Sequence, residues 1–248
     1  MNRHEYLLSP DAGDRPVLVL GHSLGTDFSL WKPVFGELEK RFKVLRYNPH
    51  PPPGTDGIGS IAGIGSDLLQ LLDQLGLQQI DFCGLSMSGL LGQWLALEAP
   101  SRLRNLVLSN TSARIGSPET WMERIRLVRD KGLANVADDL ASRWFSPPFA
   151  AEHSALVRQL ANNLKSFPTE EYLAACEAIR DADLREKASQ IKARTLIIAG
   201  TYDRAATVAD AEFLNRQISD SRLLVLPCGH LACVELPERF IQAVNEFL

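Results

Sequence analysis

The 248-residue chain contains no uncharged apolar stretch of the roughly 20 residues that a membrane-spanning helix needs. Its opening, MNRHEYLLSPDAGD, is charged where a secretory signal would be apolar, so the cytoplasm is the expected location. Cysteine is scarce. Cys83, Cys176, Cys228 and Cys233 form no CxxC pair, which excludes a disulfide framework or a finger-like zinc module. Cys228 and Cys233 flank His230, yet no second cysteine–histidine cluster could complete a four-ligand site, so no metal is expected. An excess of positive charge is also lacking. With 26 Lys and Arg against 30 Asp and Glu, the formal net charge is -4. The chain therefore has no broad field for nucleic acid, and an anionic small molecule would have to be met by individual arginines. Repeats and low-complexity tracts are absent, and an apolar share of 45% places the chain among ordinary globular proteins able to bury a large core.

Short apolar runs alternate with helical patterns. PVLVLGHS (Pro16 to Ser23), FKVLRYN (Phe42 to Asn48), QIDFCGLS (Gln79 to Ser86), LRNLVLSNT (Leu103 to Thr111), TLIIAG (Thr195 to Gly200) and RLLVLPCG (Arg222 to Gly229) read as strands. Their near-continuous apolar character suits parallel strands covered on both faces. Between them lie amphipathic stretches such as SDLLQLLDQLG, with leucines at 68, 69, 72 and 75, and PERFIQAVNEFL at the end of the chain. The expected architecture is a mostly parallel α/β sheet flanked by helices. From Ser117 to Lys187 there are only helix-like runs, punctuated by Pro147, Pro148 and Pro168. This segment, 117–187, is expected to be a helical cap over the carboxyl ends of the strands, with 1–116 and 188–248 forming the core.

FCGLSMSGL places Ser86 between a strand and a helix, with Gly84 two residues before it and Ser88 two after. Such a turn needs small neighbours and pushes the serine side chain outward, as in a G-x-S-x-G nucleophile elbow whose last glycine has become serine. A serine hydroxyl needs a base, and the base needs an orienting carboxylate. Downstream, Asp203 follows the TLIIAG strand and His230 follows the last strand, which gives the order serine, acid, histidine at one edge of the sheet. Alone, the aspartate reads equally as a helix cap and the histidine as a loop residue; together in this order they define a candidate triad. The Met87 N–H at a helix start, and the Leu24 N–H after the first apolar strand, are the expected oxyanion donors. His22 precedes the serine and is expected to pack or hydrogen-bond, while His4, His50 and His153 have no supporting pattern.

On these residues the chain resembles the α/β-hydrolase superfamily. More narrowly it is similar to the 3-oxoadipate enol-lactonases, through SLGTDFSLW, FCGLSMSGL, NTSARIGSPETW, RWFSP, CEAIRDADLRE, IIAGTYDRAAT and GHLACVELPERF. The resemblance implies Ser86 as nucleophile, Asp203 as orienting acid, His230 as general base, and no metal or organic cofactor. It also implies an anionic lactone substrate, for whose carboxylate Arg114 is the first candidate partner and Arg143 the second, with Trp121 and Trp144 as pocket walls. Three features depart from the family pattern: Ser88 at the elbow, the loss of the first strand of the opening hairpin, and a shortened Arg46–Asp67 segment without the arginine-glycine-histidine-glycine run. A carboxylesterase, a hydrolase of another lactone, a cofactor-free lyase or a non-catalytic binding protein on the same fold stand as alternatives. Nothing in the sequence sets the oligomeric state.

Overall fold

Ile80–Leu85 (IDFCGL) is buried at all six positions, which only a strand covered on both faces can achieve. The computed structural model describes residues 6–10, 13–49 and 60–248, and in it this strand sits at the middle of a seven-stranded sheet. In chain order the strands are β1 (Tyr6–Leu8), β2 (Val17–Gly21), β3 (Lys43–Tyr47), β4 (Ile80–Leu85), β5 (Leu103–Ser109), β6 (Arg194–Gly200) and β7 (Ser221–Leu226). Their spatial order is β1-β3-β2-β4-β5-β6-β7, and every pairing is parallel except β1 with β3.

The six strands read from the sequence are all present; β1 is an addition to them. It is a three-residue antiparallel edge, too short for an alternation to register. The expectation that the opening hairpin lacks its first strand bears on the N-terminus, where residues 1–5 lie outside the described residues; so do 50–59 of the shortened 46–67 segment, and His4 and His50 with them.

The helices are α1 (Lys32–Leu38), α2 (Ile61–Gln74), α3 (Met87–Glu98), α4 (Pro118–Lys131), α5 (Leu133–Ala141), α6 (Pro147–Glu152), α7 (Ser154–Lys165), α8 (Thr169–Asp181), α9 (Val208–Gln217), α10 (Ala232–Glu235) and α11 (Pro237–Phe247). In α2 the buried side chains Ile61, Ile64, Leu68, Leu71 and Leu72 recur at helical spacing, and the Ser60 hydroxyl caps its first turn through Gly63 N–H. The five helices α4 to α8 occupy the interval between β5 and β6 without an intervening strand. Proline acts there as a starter: Pro147 opens α6 behind the N-cap Ser146, and Pro168 immediately precedes α8. Among the described residues no helix is long and apolar enough to cross a membrane.

This topology fixes where chemistry can occur. Because β2, β4, β5, β6 and β7 run parallel, the loops that begin at His22, Ser86, Asn110, Thr201 and Pro227 leave one common edge of the sheet.

Candidate active site

Ser86 has φ 58° and ψ -115°, a conformation costing a non-glycine residue on the order of 1–3 kcal/mol, so the surroundings must impose it. The restraints are visible. Ser86 N–H donates to the Ser109 carbonyl at 3.0 Å, and the Ser86 carbonyl accepts from Gly89 N–H at 2.8 Å and from the Thr111 hydroxyl at 2.7 Å. A Cβ on Gly84 would overlap the Ser88 carbonyl oxygen, so the first turn of α3 can close down on β4 only over a glycine.

Ser88, the departure at the elbow, is accommodated by its neighbours. It is fully buried, its hydroxyl donates to the His22 carbonyl at 2.7 Å, and its Cβ fits because β2 presents Gly21 opposite it. A Cβ on Gly21 would stand 2.7 Å from that of Ser88. Ser88→Ala removes the buried hydrogen bond to the His22 carbonyl, so urea denaturation is expected to show a loss of about 0.5–1.5 kcal/mol.

His230 and Asp203 are joined at 2.8 Å between Nδ1 and Oδ2, both almost completely buried. The other carboxyl oxygen of Asp203 accepts from Ala205 N–H at 2.8 Å and Ala206 N–H at 3.1 Å. Burial pushes this carboxyl up, but the His230 charge, the bond to His230 and the two amides together outweigh it and hold the group below its ordinary value. Asn110 completes the arrangement from the end of β5. At φ 48°, a region asparagine tolerates, its Nδ2 donates to Asp203 Oδ2 at 3.2 Å and to the Gly229 carbonyl at 3.0 Å, tying the acid loop to the histidine loop.

Ser23, Leu24, Ser86 and His230 line one cavity of about 480 Å³. Among the described residues, neither the Leu24 nor the Met87 amide donates to another group, so both are available to a developing oxyanion. His22 bonds the Ser23 carbonyl at 3.0 Å and Asn48 Oδ1 at 3.1 Å, the hydrogen-bonding role expected of it. Trp121, Arg143 and Trp144 also line the cavity. Arg114 does not. The segment that carries it is bonded to the chain leaving α8, with Leu184 N–H donating to the Ala113 carbonyl at 2.8 Å, and its guanidinium is spent on Asp183 at 3.3 Å.

Two further arginines reach the cavity and were not read from the sequence, Arg124 on α4 and Arg204 next to Asp203. Arg124 lies over the Trp121 ring, 4.6 Å from its centre, and the ring is itself fixed by the bond from Nε1 to the Ile115 carbonyl at 2.6 Å. Among the described residues Arg124, Arg143 and Arg204 have no carboxylate partner, and no Asp or Glu lines the cavity. An anion entering it meets only positive charge. Cys228 and Cys233, beside His230, are buried thiols pushed upward by burial, and among the described residues no group of His, Cys, Asp and Glu is arranged to hold a metal ion.

The strand order places the chain in a class by its fold: the α/β hydrolase fold model matches residues 16–237, and the chain belongs to that family. Over 235 residues it is 39% identical to 3-oxoadipate enol-lactonase 2 of Acinetobacter baylyi, spanning 94% of this chain and 88% of that one. The crystal structure of the enol-lactonase from Burkholderia xenovorans LB400 superposes with a TM-score of 0.94 at 36% identity, over 98% of this chain and 95% of that chain. A putative carbamate hydrolase RutD of Pseudomonas savastanoi pv. phaseolicola is 30% identical over 95% of this chain and 94% of its own. Fold and relatives make the chain a hydrolase.

Proposed function

We propose that the chain is a serine hydrolase that opens a small anionic lactone through an acyl-enzyme, and that its substrate is 3-oxoadipate enol-lactone. The observation that carries the reading is a single cavity lined by Ser86, His230 and three arginines without carboxylate partners. The enol-lactonase relatives supply the ring. In this reading the core is 1–116 with 188–248, and the helical segment 117–187 is the cap that contributes Trp121, Arg124, Arg143 and Trp144 to the cavity.

The steps follow from the parts. His230 takes the Ser86 proton as the hydroxyl attacks the ring carbonyl, and Asp203, already bonded to Nδ1, fixes the tautomer whose other ring nitrogen can accept it. The Leu24 and Met87 amides receive the charge on the carbonyl oxygen, helped by the positive end of α3. Collapse breaks the ring ester bond and expels an enolate, a better leaving group than an alkoxide; its oxygen takes the proton from the His230 imidazolium, which leaves His230 neutral, and the enol tautomerises to the ketone. Water deprotonated by His230 releases the acid from Ser86. No step requires a metal or an organic cofactor.

The substrate's free carboxylate is held by Arg143 or Arg124, each positioned by the cap. A charge-assisted hydrogen bond contributes about 1.5–3 kcal/mol, so removing the one in use raises KM for the lactone acid by about 10- to 100-fold. Steady-state assays of Arg143→Met and Arg124→Met check this against p-nitrophenyl acetate, a neutral ester whose turnover should change little. Rates that fall equally for both substrates contradict carboxylate recognition. Faster turnover of neutral esters or carbamates than of the lactone acid by the wild type favours the esterase or carbamate alternative.

A further inference from the structure

Beyond Asp203, one other carboxyl group is buried close to the histidine loop, and the chemistry just described makes no use of it. Glu235, at the end of α10, is 8% exposed and has no cation partner among the described residues. All its bonds run to two segments. Oε2 accepts from Gly229 N–H at 2.9 Å and from Ser146 N–H at 3.1 Å, and Oε1 accepts from the Ser146 hydroxyl. Gly229 adjoins His230, while Ser146 caps α6 two residues after Trp144. The same two segments are joined directly, because the Trp144 carbonyl accepts from His230 N–H at 2.8 Å and from Leu231 N–H at 3.2 Å. They also lie so close that a Cβ on Gly229 would stand 2.6 Å from the Phe145 carbonyl carbon and 2.7 Å from the Trp144 oxygen.

We propose that Glu235 is a positioning residue that clasps the His230 loop to the 144–146 strip of the cap, so that one carboxyl group sets both the general base and the cavity wall of Arg143 and Trp144. The proposal rests on the triad reading above. Two main-chain donors and a hydroxyl converge on the carboxyl from segments 83 residues apart in sequence, counting from Ser146 to Gly229. Without it, two buried amides lose their acceptor and the strip can part from the loop. A glutamine can serve in its place. Its oxygen accepts from both N–H groups, and its NH₂ donates to the Ser146 hydroxyl oxygen, which can also accept. The requirement is for hydrogen-bond geometry, and the negative charge is dispensable.

The test measures kcat per active site, with functional sites counted by fluorophosphonate titration so that unfolded protein drops out. Glu235→Ala is expected to lower kcat per titrated site by about 10- to 100-fold for the lactone acid and for p-nitrophenyl acetate alike, the scale of a displaced catalytic group. Glu235→Gln restores most of the wild-type rate. Where Glu235→Ala does not fold, Ser146→Ala, which removes one donor of three, shows a smaller loss in the same direction. Wild-type kcat per titrated site in both Glu235→Ala and Ser146→Ala overturns the proposal, as does a Glu235→Gln enzyme as slow as Glu235→Ala. A wild-type protein that takes no fluorophosphonate overturns the triad reading, and the clasp's catalytic role with it.

Discussion

Replacement of Ser86 by alanine lowers kcat by roughly 10⁴- to 10⁶-fold while the thermal midpoint stays close to that of the wild type. The drop is large because serine, histidine and aspartate act as one unit: without the hydroxyl no acyl-enzyme forms, and what remains is water attack assisted by the oxyanion donors. Stability barely changes because the strained turn is held through its main chain, by bonds from Ser86 N–H to Ser109 and from Gly89 N–H and the Thr111 hydroxyl to the Ser86 carbonyl, none of which uses the Ser86 side chain. Single-turnover assays with differential scanning fluorimetry on the same samples test both halves. A variant that keeps more than about a hundredth of the wild-type kcat would remove Ser86 from the nucleophile's role.

Asp203→Asn is expected to cost about 10⁴-fold in kcat, since an amide can hold His230 in the wrong tautomer. Asn110 adds to the damage. Its Nδ2 already donates to Asp203 Oδ2, so an NH₂ turned toward it would face another donor. The same carboxyl gives a pH dependence of stability whose sign is fixed. Held below its ordinary value in the folded protein, Asp203 contributes stability above the unfolded carboxylate range, and that contribution is lost as pH falls through the folded value. Urea titrations from neutral pH down to about 3 should therefore show a shallower loss of stability in Asp203→Asn than in the wild type. Parallel profiles would mean the folded protein does not hold this carboxyl in its ionised form.

The sheet was legible because its parallel strands are short, largely apolar runs, the pattern that burial on both faces demands of β2, β4 and β6. β1 was not, since an edge strand of three residues bears no such pattern. Within the candidate site, order along the chain pointed to Ser86, Asp203 and His230, because strand ends on one sheet edge lie near one another whatever the loops do. Side-chain direction is another matter. Arg114 stands on a loop leaving the same edge, yet its backbone is bonded to the chain returning from α8 and its guanidinium goes to Asp183. Arg124 reaches the cavity from a helix whose surface face and cavity face look alike in sequence. Asn110 could have been suspected from an asparagine ending a buried strand, since that residue type suits a left-handed turn. Glu235 could not, because its partner Ser146 lies 89 residues away and nothing local marks the pair.

The most direct measurement is reaction of the folded protein with a fluorophosphonate, followed by peptide mapping. The account predicts one phosphonyl adduct, on the peptide containing Ser86, formed fast in the wild type and far more slowly in His230→Ala. Folded protein that stays unlabelled, or carries its adduct on another residue, would contradict it.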